Sequence, residues 1–243
     1  MDIFADLVAE QDRLEAILDS LDDEAWSAPS GALGWTVADV VLHLAQTEEA
    51  VVNSVAGRVG ISNWRDQAEN LDDAIDQMVS AERTTPGATF ERWRVARREA
   101  VAALMGADAE QRFQWAATPL KPKTLATTRL AEHWAHGLDI TRPLGLPFPD
   151  TDRLRHIAWL GHGSLLYAFN FVGQEPHAVF CELTAPDGSL WRYGPADADS
   201  TITGAAGAFC RVGARRLAPD ESGLVARGPH GMAALRVLRN YAG

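Results

Sequence analysis

A mainly α protein is expected, with a helical bundle over residues 1–172 and a small α+β unit over residues 173–243. Three observations predict it. Apolar residues recur at three- and four-residue steps through most of the first 172 positions. Helix-start signals stand at Thr36 and at Thr85-Pro86. Strand-like alternation is confined to the stretch after Gly173.

The elements follow in order. Ile3, Leu7, Leu14, Ile17, Leu18 and Leu21 line one face of a helix over residues 2–20, and Ser27-Ala28-Pro29-Ser30-Gly31 breaks it. Thr36 is a good N-cap with Asp39 at the third helical position, a variant of the capping box, and Trp35 and Val40 are spaced for a hydrophobic staple across that turn. That helix runs to about Ala56. A weaker helical pattern follows, to about Glu82. Thr85-Pro86 opens a third strong helix that continues to Met105-Gly106, with proline at the first helical position. After Pro119 and Pro122 a helix covers roughly 124–140, ended by Pro143, and Asp152–Val172 reads as one more. Ala178–Thr184 and Ser189–Tyr193 flank the turn Pro186-Asp187-Gly188 and predict a hairpin. Gly204–Arg216 and Pro229–Tyr241 read as helices, with a short strand at 224–226.

Composition narrows the function classes. The 243 residues are 47% hydrophobic and 23% charged, enough for a core that needs no disulfide staples. The net charge of −11 repels phosphate backbones and anionic membranes, so neither nucleic acid nor a membrane surface is an expected partner. No stretch approaches the ~20 apolar residues of a membrane span, and the acidic start Met1-Asp2-Ile3 lacks the features of a signal peptide. The two cysteines, Cys181 and Cys210, read as buried reduced thiols in a cytoplasmic protein, monomeric or a homodimer.

The chemistry concentrates in Leu130-Ala131-Glu132-His133-Trp134-Ala135-His136-Gly137-Leu138-Asp139. Glu132 and His136, four apart, stack on one helical face and can share a metal. A third ligand must come from another helix, and His43 is the candidate, with the small residues Thr47, Ala50 and Ser54 beyond it on its face. Two histidines and a glutamate with open positions make up a catalytic rather than a structural zinc site. Asp139 is placed to orient His136 from behind. The same face also fits a blander description. Arg129, Glu132, His133, His136 and Asp139 lie opposite Leu130, Trp134 and Leu138, as a solvated polar face would. His133 competes with Glu132 as ligand through a His133-x-x-His136 pair. Glu48-Glu49 reads as solvated, Cys181 and Cys210 as core, and the remaining histidines (156, 162, 177 and 230) as surface or partly buried. Gly161-His162-Gly163-Ser164 lacks the strand-to-helix context of a nucleophile elbow.

Trp35-Thr36-Val37-Ala38-Asp39-Val40-Val41-Leu42-His43-Leu44, followed about ninety residues later by Glu132-x-x-x-His136-x-x-Asp139, resembles the mycothiol-dependent maleylpyruvate isomerases, within the broader DinB-like group of metal-binding four-helix bundles. The resemblance covers roughly residues 5–145. It implies a DinB-like four-helix bundle followed by a small α+β domain. It implies zinc, or another divalent metal, on His43, Glu132 and His136, and mycothiol or a similar low-molecular-weight thiol ionised by that metal. The expected activity is thiol-dependent isomerisation or S-transfer on a small electrophilic substrate. Arg129, the basic residue that helix geometry places beside Glu132, would hold an anionic group of substrate or thiol; Arg94, Arg97 and Arg98 are further cations on the third helix. Two other readings share the site: a metal-hydroxide hydrolase or lyase, and a non-catalytic metal-binding module.

Overall fold

The computed structural model describes residues 2–58, 71–116 and 118–240. These fall into two compact units that divide between Phe148 and Pro149. In the first, α1 (Ile3–Asp19), α2 (Asp23–Ser27), α3 (Val37–Val55), α4 (Leu71–Ala81), α5 (Pro86–Gly106) and α6 (Pro122–Thr141) follow one another. The four long helices α1, α3, α5 and α6 form the bundle. α3 packs most extensively on α5, and α1 on α6, with α3 also against α6.

Three of the four long helices, α1, α3 and α5, begin where a side chain accepts from a first free backbone N–H. The Asp2 carboxylate accepts from Phe4 N–H ahead of α1. At α3 the capping box is complete: Thr36 Oγ1 accepts from Asp39 N–H at 3.2 Å and Asp39 Oδ2 accepts from Thr36 N–H at 2.9 Å. Thr85 caps α5, and proline opens both α5 and α6. Leu14 and Leu18 of α1, Trp26 of α2, Val37, Val40, Val41, Leu44 and Ala45 of α3, Trp93 of α5 and Ile140 of α6 meet in one buried cluster. Burying a single such Leu or Val contributes about 1.5–3 kcal/mol, so the bundle does not need an ion in order to fold.

The second unit holds α7 (Leu154–Gly163), α8 (Leu165–Phe171), β1 (Phe180–Thr184), β2 (Leu190–Tyr193), β3 (Thr201–Ala205), α9 (Ala206–Gly213), β4 (Val225–Arg227) and α10 (Gly231–Val237). The sheet runs β2-β1-β3-β4. β1 and β2 form the expected hairpin, pairing Cys181 with Tyr193 and Leu183 with Trp191. Its turn closes through Gly188, whose φ of 84° suits glycine. β3 lies parallel to β1, Phe180 beside Thr201, and β4 pairs antiparallel with β3.

Four expectations change. The helix predicted over Asp152–Val172 breaks at Ser164, whose hydroxyl donates to Gly161 O at 3.0 Å and to Arg239 O at 2.6 Å, spending on tertiary contacts what a continuous helix would not use. Its two halves pack against β2, α9 and α10, so the unit boundary expected near residue 172 falls after Phe148. Periodicity identifies the apolar face of a helix, not the core that face covers. Thr201–Ala205, partly read as the start of a helix, is a strand, because β1 offers it a parallel ladder. A short helix, Asp23–Ser27, capped by Asp22, stands where no element is expected and takes in the first residue of the breaking segment. The weakly helical stretch before α4 lies partly outside the described residues, as does Tyr241, the expected end of the last helix; α10 itself ends at Val237. Among the described residues, no helix is long and apolar enough to cross a membrane.

The cap of α3 gives a pH-dependent test. Burial raises the pKa of Asp39, but its bonds to Arg83 and Thr36 outweigh burial and hold it below the usual 3.8. The stabilisation is therefore present above about pH 3.8 and is lost as pH falls through the folded-state pKa. Arg83 is half exposed, so screening leaves most of the effect to the cap itself. Asp39→Asn is expected to cost about 1 kcal/mol in urea unfolding at neutral pH, with the gap to wild type closing below pH 3.8. A gap independent of pH would contradict this assignment.

Candidate metal centre

Two helices carry the donors. α3 presents His43 one turn past its capping box, and α6 presents Glu132 and His136 on one face. The structure brings the three together: one ligand atom from each lies within 4.8 Å of the others. His43 Nε2 and His136 Nε2 stand 3.7 and 3.5 Å from the same Glu132 Oε2. Tetrahedral zinc with 2.0–2.1 Å bonds sets its ligand atoms about 3.3 Å apart, so the observed spacing fits such an ion with little adjustment.

The chain behind the donors is arranged to suit. His136 Nδ1 lies 3.0 Å from Asp139 Oδ2; a carboxylate accepts, so Nδ1 carries the proton and Nε2 is left facing Glu132. Burial pushes the pKa of His43 down to about 4, which keeps it neutral. Burial opposes charge on Glu132 as well, yet its bonds to His136 and His43 hold it well below the ordinary carboxylate range. A neutral imidazole and an ionised carboxylate are the forms that bind a cation. Burial likewise disfavours charge on His136, but Asp139 and Glu132 outweigh it and raise its pKa.

The polar face of α6 is not solvated. Arg129 is 2% exposed, His133 0% and Asp139 4%. His133 is committed elsewhere: Trp93 Nε1–H donates to its Nε2 at 3.1 Å, and its Nδ1–H donates to the Arg129 carbonyl at 2.8 Å. Trp93 can only donate, which fixes this tautomer. Burial pushes the His133 pKa down to about 3, and the ring has no nitrogen left for a metal.

Glu48, read from sequence as solvated, is fully buried. Arg129 Nε donates to its Oε1 at 3.0 Å, and Arg129 Nη2 donates to Thr47 Oγ1 at 2.6 Å. Glu49 pairs with Arg92. The Arg129 guanidinium thus joins α6 to α3 beside the donors. Of the other cations considered, Arg94 pairs with Glu15 and Glu91, and Arg97 with Asp12 and Glu15. Sequence reasoning missed Glu48, Trp93 as the partner of His133, and Trp35, whose ring lies 5.2 Å from that of His43. No local signal separates a buried Glu-Arg pair from two surface charges.

Comparison with known proteins follows the same lines. The model of the mycothiol maleylpyruvate isomerase N-terminal domain matches residues 7–141. Uncharacterized proteins from two strains of Mycobacterium tuberculosis are each 33% identical over 246 residues, covering 98% of this chain and 95% of their own. The crystal structures of the mycothiol-dependent maleylpyruvate isomerase and of a histidine-to-alanine mutant of it align with TM-scores of 0.59 and 0.60. They share 14% identity with this chain over 94% of both chains, a likeness of fold.

Two sets of substitutions test the arrangement. His43→Ala, Glu132→Ala and His136→Ala are each expected to lower bound metal from about one per chain to near zero in elemental analysis. His133→Ala should keep the metal while losing about 2–4 kcal/mol of stability, because it opens a cavity and orphans the Trp93 N–H; metal loss there with retention in Glu132→Ala would reassign the ligands. Arg129→Met should cost about 3–5 kcal/mol by stranding Glu48, and adding Glu48→Leu should restore most of it. Equal losses in the single and double variants would mean that the pair is not coupled.

Proposed function

Because the chain belongs to the family of the mycothiol maleylpyruvate isomerase N-terminal domain, we propose that it is a metal-dependent enzyme that uses a low-molecular-weight thiol, mycothiol or a close analogue, in an isomerase or S-transferase reaction on a small electrophilic substrate. The observation that carries this reading is the convergence of His43, Glu132 and His136 from two helices, at a spacing that suits a divalent cation. Zinc is the ion that this donor set suits best.

In this reading His43, Glu132 and His136 hold the ion, and Asp139 fixes His136 in the tautomer that does so. The ion supplies positive charge that favours the ionised form of a thiol at neutral pH. Glu132 is the most exposed of the three donors, its side chain 25% accessible against 6% and 11% for the histidines, so thiol and substrate approach from its side. Arg129 acts at a distance: buried and paired with Glu48, it adds positive potential at Glu132 rather than a direct contact to an anion. The thiolate adds to one carbon of a conjugated C=C bond, whose π pair moves onto the adjoining electron-withdrawing group. Rotation about the former double bond, now a C–C single bond, and expulsion of the thiolate restore the alkene as its other isomer, whereas protonation of the adduct completes transfer.

The sulfur comes from outside the chain. Cys181 and Cys210 are fully buried in the second unit, and burial pushes both thiols up, Cys181 to about 12. Such thiols are inert. A free thiol also suits a cytoplasmic protein, where small thiols stay reduced.

The test is spectroscopic. Adding mycothiol or another small thiol to the cobalt-substituted protein should produce a sulfur-to-cobalt charge-transfer band, and the Cys181→Ser, Cys210→Ser double variant should produce the same band. If no thiol gives a band, raises the melting temperature or supports turnover, the thiol reading fails and the metal-hydroxide reading takes its place.

A further inference from the structure

The loop entering α3 is stitched both to itself and to α6. The Ser30 backbone N–H and hydroxyl both donate to the Trp35 carbonyl, at 2.8 and 2.9 Å, and Val37 N–H donates to Ala28 O at 3.0 Å. Gly31 N–H donates to the backbone carbonyl of Asp139 at 2.7 Å. The approach is so close that a Cβ on Gly31 would stand 3.0 Å from Asp139 Cα. The loop is therefore locked onto the residue that orients His136.

This loop delivers one aromatic ring to the centre. The Trp35 ring lies 5.2 Å from His43 at 50°, and 6.5 Å from His136 at 22°, nearly parallel. The two imidazoles stand 5.0 Å apart, so the three rings are mutual neighbours. The outer edge of the indole is held too: Nε1–H donates to Asp76 Oδ1 of α4 at 2.7 Å. α4 is itself tied down, since the Gln46 amide donates to Met78 O at 3.2 Å and to Glu82 at 3.1 Å. Trp35 is only partly buried.

We propose that Trp35 is the apolar wall of the ligand subsite at this centre, held ready by Asp76, and that it selects ligands carrying a flat conjugated group next to the atom that meets the metal. The inference rests on the metal assignment made above but not on the use of a thiol. A ring already pinned at both ends loses no rotamer freedom when a ligand packs on it, so the contact is realised in full as affinity. Aromatic surface favours flat conjugated partners over saturated ones of similar size.

Cobalt(II)-loaded full-length protein is titrated with acetohydroxamate and with benzohydroxamate, which share one metal-binding group and differ in the conjugated ring, and affinities are read from the cobalt d–d bands. Wild type should prefer benzohydroxamate. Trp35→Leu should reduce that preference about five- to tenfold, Trp35→Phe should keep it within about twofold, and Asp76→Ala should reduce it by a smaller factor. All variants should bind one cobalt per chain, and cobalt should quench more tryptophan emission in wild type than in Trp35→Phe. Equal preference across the variants, loss of cobalt in Trp35→Leu and Trp35→Phe alike, or no spectral response to either hydroxamate overturns the proposal while leaving the metal site standing. Failure of the wild type to take up cobalt overturns the metal assignment, and the wall with it.

Discussion

Arg129 and Glu48 meet where neither reaches water, one turn from the donors on each of the two helices that carry them. Glu48 follows His43 by five residues on α3, and Arg129 precedes Glu132 by three on α6. An ion pair in such a place does not earn its position by stability alone, since an apolar pair of the same volume would serve the core about as well. What it supplies is register. The guanidinium binds Glu48 and Thr47 together, its own backbone carbonyl holds His133, and His133 takes the indole N–H of Trp93 on α5. Three helices are thereby fixed relative to one another by directional bonds, and a metal site tolerates an error in donor placement of only a few tenths of an ångström.

The polar interior is also matched in charge. Two carboxylates, Glu132 and Asp139, flank the two imidazoles in a region closed to most solvent, while Arg129 and Glu48 compensate each other. A divalent cation would balance the charge of this set. Burial disfavours charge on both rings; bonds to Asp139 and Glu132 outweigh it at His136 and raise its pKa, while burial prevails at His43 and lowers it. The two histidines differ in surroundings and not in type: one is oriented by a carboxylate, the other rests against the Trp35 ring. Trp93 links this polar interior to the apolar cluster of the bundle, since its ring belongs to the cluster and its N–H reaches His133.

Much of this was legible in the chain before folding, and the parts that were share a property. Thr36 with Asp39 and Thr85 with Pro86 announce helix starts because capping is an interaction between neighbours in sequence. Glu132 and His136 share a face, and Asp139 reaches His136, because i,i+4 and i,i+3 geometry follows from the helix alone. His43 was identifiable as a candidate from its residue type and its small neighbours, and the family resemblance strengthened that choice.

Tertiary structure decided the rest. Periodicity states which side chains share a face but not what that face meets, so the stretch Arg129–Asp139 described a solvated surface as well as a buried site. The same blindness made Glu48 a surface charge, left His133 a rival ligand until Trp93 claimed its nitrogen, and assigned α7 and α8 to the bundle when they pack with β2, α9 and α10. The sequence by itself determined where the helices begin, which faces are apolar, and that a carboxylate and an imidazole stand one turn apart on α6. Only the packing of α3 against α6 decided that His43 completes the set, because that contact joins residues about ninety positions apart and no local rule reaches across such a separation.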